Sequence, residues 1–188
     1  MILILLLVVL VLLLIISIGW MVVAGNNLVA KRNRIDQCWS GISIVIKQRN
    51  DMIPNLLTTV KTYAKHEHEV LTQIAALRGE AMKEGDVHMQ MKRNNRLSSM
   101  IGQLKSVIEA YPDLKANEQF VTLQSKIVEM EEELQAMRRT YNAAVTDYNN
   151  SIEMFPSSLI ASQRGYERRE LLEIPQEELG SLNIASLI

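Results

Sequence analysis

A chain of 188 residues with 20 basic and 21 acidic side chains, interspersed to a net charge of −1, offers no surplus of positive charge to hold nucleic acid. Its one cysteine excludes a framework of paired disulfides and fits a reducing compartment. With four prolines and eight glycines in the whole chain, breaks are few and long elements are expected.

Residues 2–16 are fifteen consecutive Ile, Leu or Val, and the first charged side chain is Lys31. This predicts a transmembrane helix over residues 1–26. About 20 apolar residues, rising about 1.5 Å each, cross a hydrocarbon core of about 30 Å. Ile2, Leu10 and Ile16 then lie in hydrocarbon and Trp20 at headgroup depth. At about −0.3 to −0.6 kcal/mol per Leu, Ile or Val, insertion is favourable by several kcal/mol. A secretory signal peptide would need a basic leading region, a shorter apolar stretch and a small-residue cleavage site, which Val22-Val23-Ala24-Gly25 does not supply. Lys31, Arg32 and Arg34 follow the span, against Asp36 alone. The positive-inside rule therefore predicts a cell-membrane protein with its N-terminus outside and residues 27–188 in the cytoplasm.

After the span the pattern is helical throughout, and no segment shows the period-two alternation of a strand. Ile35, Trp39, Ile42, Ile46 and Ile53 make a first stripe; Leu57, Val60, Ala64, Leu71, Ile74 and Leu77 a second; Leu97, Met100, Leu104, Val107 and Tyr111 a third. The clearest runs from Asn117 to Phe155, through Phe120, Leu123, Ile127, Met130, Leu134, Met137, Tyr141, Ala144, Tyr148 and Ile152. Its steps alternate three and four as in a coiled coil, with one stutter around Tyr148. Gly85-Asp86 reads as a helix stop and N-cap, Tyr111-Pro112 as a break, and Asn50 to Pro54 as a turn, the alternative being a kink in one long helix. The expected fold is all-α: an N-terminal transmembrane helix, an antiparallel four-helix bundle over residues 27–155, and a loosely docked tail over 156–188. With no Gly/Ser/Pro linker after the span, the transmembrane helix is expected to run on into the bundle.

Candidate chemistry is sparse. His66 and His68, two apart on a helix, point about 200° from each other and cannot chelate one ion. Cys38 has no basic partner in sequence and reads as a small hydrophobe. Phosphate-cradling glycine loops, nucleophile elbows and paired-metal carboxylate patterns are missing, so a non-enzymatic protein without metal or cofactor is expected. Tyr63, Tyr111, Tyr141 and Tyr148 lie on or beside apolar stripes, and Asn55, Asn142 and Asn149 are candidate partners for their hydroxyls. The ten methionines read as adaptable core filling.

Two stretches resemble the LemA family. The first comprises Asp36-Gln37-Cys38-Trp39, then Gln48 to Leu57 with Arg49, Pro54 and Asn55, then Val60 to Glu67 with Lys61 and Tyr63. The second comprises Glu109 to Asn117 with Tyr111 and Pro112, Arg139 to Val145 with Tyr141 and Asn142, Tyr148-Asn149, and Phe155-Pro156 on to Ala161. Ser158 departs from the usual asparagine, and Ser162-Gln163-Arg164 replaces an apolar stretch that would dock the tail. The resemblance implies an antiparallel four-helix bundle on an N-terminal anchor in bacterial and some archaeal envelopes, with these motif residues in structural roles. It implies no established biochemical activity, although some relatives are associated with magnetosome membranes. The expectation is a membrane-anchored scaffold that assembles with copies of itself and organises or remodels the bilayer. The alternative is a monomeric adaptor whose tail, charged over Glu167 to Glu178 and ending in spaced apolar residues, recruits another envelope protein. A span of near-uniform Ile, Leu and Val lacks the small-xxx-small pattern of close helix contact, so association is expected of the soluble helices more than of the span.

Overall fold

The computed structural model describes residues 1–64 and 66–173, except for the side chains of Lys105 and Ser106. Leu179, Leu182 and Leu187, with the rest of the proposed tail motif beyond Glu173, lie outside the described residues. The described residues form six helices: α1 (Ile2–Tyr63), α2 (His68–Ala81), α3 (Val87–Glu109), α4 (Pro112–Lys115), α5 (Glu118–Glu153) and α6 (Ser157–Gln163).

The 62 residues of α1 contain both the apolar run and the first bundle stripe. Its N-terminal part is long and apolar enough to cross a membrane, with a mean hydropathy of 3.6 and none of that stretch buried within the protein. The helix passes the end of the span and the charged flank without a break.

The expected turn at Asn50 to Pro54 is not there, because Pro54 lies inside α1. Proline lacks an N–H, so the carbonyl four residues earlier, that of Asn50, loses its helical partner. Arg78 of α2 supplies one, donating from Nε to the Asn50 carbonyl at 2.7 Å. A side chain from another helix thus takes over the bond that would otherwise favour ending the helix at Pro54.

The chain forms two compact units. One comprises residues 39–139 and 172–188, of which 39–64, 66–139, 172 and 173 are described. Its core draws Ile53, Leu56 and Val60 from α1, Leu71 and Ile74 from α2, Leu97, Leu104 and Ile108 from α3, Leu114 from α4, and Phe120 and Ile127 from α5. Local signals set the helix starts. Asp86 caps α3 by accepting from the Met89 N–H at 2.8 Å, Pro112 opens α4, and Asn117 accepts from the Phe120 N–H at 2.8 Å at the start of α5.

The other unit comprises residues 1–38 and 140–171. Here α5 packs antiparallel to α1, with Leu28 and Ile35 buried on α1 and Tyr141, Val145, Tyr148 and Ile152 on α5. Lys31 meets Asp147 at 2.6 Å across this pair. α6 adds Ile160 and Ala161 to the buried set, then the chain runs extended along α5.

Three expectations need correction. Along α5 the buried face shifts by one residue at Met137: Arg138 and Val145 are buried, while Met137 and Ala144 are half-buried. The shift precedes the expected stutter because the charge on Arg138 hides its core position from a hydropathy pattern. Phe155, read as the end of the stripe, lies past the end of α5 and is 80 % exposed. The tail is not loose as far as Arg169, whose backbone N–H and carbonyl are both bonded by Asn149 of α5. Its Ser162-Gln163-Arg164 segment does not prevent docking, because the Arg164 guanidinium lies against Gly25, where a Cβ would come within 3.0 Å of both Nη atoms.

Candidate functional site

In the unit that carries the apolar run, Ile2, Leu10 and Ile16 are exposed around α1, and Trp20 is 40 % exposed near the end of that run. The basic flank divides. Lys31 is largely covered by its pairing with Asp147, Arg32 lies over the Tyr166 ring at 5.8 Å, and Arg34 is exposed. Trp39, the first α1 residue of the other unit, is half-buried, as is Cys38.

The tail is fastened by two neighbours on α5. The Tyr148 hydroxyl donates to the Glu167 carbonyl at 3.1 Å, and its ring meets Tyr166 edge-on with centroids 6.3 Å apart. Asn149 donates from Nδ2 to the Arg169 carbonyl at 2.8 Å and accepts the Arg169 N–H at 2.9 Å. A side-chain amide thereby stands in for a neighbouring strand, satisfying both backbone groups of one extended residue. Asn149, one of the candidate partners for a tyrosine hydroxyl, serves the tail backbone instead. Burial raises the hydroxyl pKa of Tyr148, and also that of Tyr141, partly opposed in each by the Arg169 charge.

The remaining motif residues belong to the other unit, except Asn142, Phe155 and Pro156. Tyr63, at the end of α1, is exposed rather than inside a bundle, and its hydroxyl accepts from Asn117 at 3.0 Å. Tyr111 donates to Glu67 at 3.2 Å; its pKa is raised by desolvation first and by this bond second. Pro54, Asn55 and Lys61 are exposed on α1, and Asn142 is half-buried on α5. Pro156 precedes α6 and follows a cis Phe155–Pro156 peptide bond. His68 bonds Thr72 on its own helix, and no group of three or more His, Cys, Asp or Glu able to hold a metal occurs among the described residues.

Arg49 is the centre of a buried network. It is fully buried, and its guanidinium donates to the Glu131 carboxylate, to Ser98 Oγ at 2.7 Å and to Asn94 Oδ1 at 3.0 Å, joining α1, α3 and α5. The Ser98 hydroxyl has its one proton to share between the Asn94 carbonyl and Glu131, each at 3.1 Å. Asn94 is itself held by the Gln90 carbonyl at 2.9 Å. Nearby on α5, the buried Arg138 donates to Asn95 at 3.0 Å and to Met91 Sδ at 3.4 Å. Sequence reading passed over Asn94, Ser98, Glu131 and Arg138. The signal for Arg49 was a gap: the first stripe steps from Ile46 to Ile53, and Arg49 fills the position between them.

Together these features define a class: an all-helical protein on a long apolar N-terminal helix, tied internally by buried polar networks. Residues 38–184 match the model of the LemA family, and the chain belongs to that family. Among its relatives is the protein LemA of Metamycoplasma hominis, 27 % identical over 151 residues that cover 79 % of this chain and 69 % of that one. A magnetosome protein, MamQ 2 of Paramagnetospirillum magneticum, is 22 % identical over 160 residues, covering 71 % of this chain and 59 % of that one. MamQ of Magnetospirillum gryphiswaldense is 21 % identical over 157 residues, covering 70 % and 58 %. The chain thus spans about three-fifths of the length of the magnetosome relatives it matches.

Proposed function

We propose that this LemA-family protein is a non-enzymatic scaffold, anchored by residues 2–23 of α1, that assembles with copies of itself and organises or remodels the bilayer. The observation that carries the reading is the unit formed by residues 1–38 and 140–171. The apolar run there is continuous in one helix with the surface on which α5 and α6 pack, so an inserted α1 holds that soluble surface at the membrane without a linker. Insertion confines neighbouring copies to two dimensions, where weak helix contacts suffice for association. In this reading the helices after the span fold as an antiparallel four-helix bundle on the cytoplasmic side. Topology rules count Lys and Arg, with little offset from acidic residues, so Lys31, Arg32 and Arg34 all support that orientation. Two of the relatives are by name magnetosome proteins, which accords with a membrane-organising role.

The test is the mass of the full-length protein in mild detergent and in nanodiscs, measured by light scattering over a range of concentrations. Oligomers that grow with concentration are the expected result. A strict monomer at every concentration overturns self-assembly.

A further inference from the structure

The corner between α5 and α6 carries an exposed apolar cluster whose depth is fixed by α1. Six residues back from Lys31 is Gly25, and six on from its partner Asp147 is Glu153, where α5 ends. The antiparallel pairing therefore sets the end of α5 level with the end of the apolar run. The chain turns through Met154, Phe155 and Pro156 into α6, and Arg164 just after α6 returns to Gly25. The corner thus starts level with Gly25 and ends against it, at the depth where the apolar run of α1 stops.

At that depth Met154, Phe155 and Leu159 are 64 %, 80 % and 62 % exposed, while Ile152, Ile160 and Ala161 beside them are buried. The helices that bury Ile160 leave these three uncovered, and Met21, Val22 and Val23 of α1, just before Gly25, are also exposed. Arg164 lies at Gly25, Arg32 lies over Tyr166, and Glu153 is engaged by Arg168 at 2.6 Å. A large apolar ring, a methionine and a leucine beside a guanidinium match the junction of acyl chains and phosphates, where aromatic residues and arginines settle.

We propose that the α5–α6 corner is a second membrane contact. Met154, Phe155 and Leu159 insert among the upper acyl chains of the leaflet where the span exits, and Arg164 meets the lipid phosphates. This rests on the reading of α1 as a span. It makes the protein grip one leaflet at two adjoining points, the span and a shallow wedge.

Nitroxide scanning of the full-length chain tests it, in a Cys38→Ser background in nanodiscs of phosphatidylcholine and phosphatidylglycerol. Labels are placed through Phe155→Cys and Leu159→Cys, with Leu10→Cys as the hydrocarbon control and Glu129→Cys, exposed on α5, as the aqueous one. Because Phe155 and Leu159 are exposed, each substitution removes little packing, and unchanged helical melting verifies the fold. The expected result is a ratio of oxygen to nickel-chelate collisions at both positions several-fold above that at residue 129, approaching that at residue 10. Ratios equal to that at residue 129, with residue 10 in hydrocarbon, overturn the corner contact and leave the anchor standing. A water-exposed residue 10 overturns the anchor and the corner with it. Positions 155 and 159 shielded from both reagents would mean that another protein chain covers them, which also overturns the proposal.

Discussion

Arg49 shows how one side chain joins three helices. Its charge is buried at the cost of desolvation, and that cost is met only while Glu131, Ser98 and Asn94 stay in place. Arg49→Ala removes the charge and the bonds together and leaves a cavity and stranded polar partners. Unfolding by urea in detergent is expected to show a loss of about 3 kcal/mol. Arg49→Lys is expected to recover little, because an ammonium cannot reproduce the forked contact with Asn94 and Ser98. Tyr141 and Tyr148 set a different limit. Burial raises both hydroxyl pKa values above the unfolded value of about 10, so the fold favours the neutral phenol. Their contribution is complete below about pH 10 and is lost as pH rises through the higher folded values. Thermal melts of the parent are therefore expected to fall more steeply above pH 10 than those of a Tyr141→Phe, Tyr148→Phe double variant.

Among the elements, α1 is the most informative, because the sequence described its start and misread its last turns: the stripe from Leu57 to Leu77, read as one helix, is divided between α1, which ends at Tyr63, and α2, which begins at His68. The apolar run, the stripe from Ile35 to Ile53 and the uninterrupted junction between them were legible, since each is a local pattern of side chains. Pro54 was not, because what keeps α1 helical there is Arg78, which is 24 positions further along the chain. Asp86 and Pro112 were legible because capping and proline geometry act within one turn. The buried half-stripe of Arg138 and Val145, the role of Asn149 and the exposed Phe155 were not. Hydropathy assigns charge to the surface and phenylalanine to the core, whatever the neighbours. The pairing of Pro54 with Arg78 predicts a coupling. Arg78→Ala alone strands the buried Asn50 carbonyl, at about 1–3 kcal/mol. With Pro54→Ala in place, residue 54 regains an N–H that bonds the same carbonyl, and losing Arg78 costs less. A double-mutant cycle on urea midpoints is expected to give an interaction energy of about 1–2 kcal/mol, and additive losses would contradict this account of how α1 survives its proline.

For the whole molecule, the central claim is that the membrane segment and the first soluble helix are one structure, so that what α5 and α6 present is held at the bilayer surface. A chain with the same composition but a flexible joint after the span would leave its soluble part free to move away from the lipid. The most direct measurement is amide hydrogen exchange, read by mass spectrometry on the full-length protein in nanodiscs over residues 24–30. The account predicts slow exchange there, continuous with the protected span before it and with the Leu28 and Lys31 contacts after it. Exchange at those amides as fast as in an unstructured peptide would contradict it.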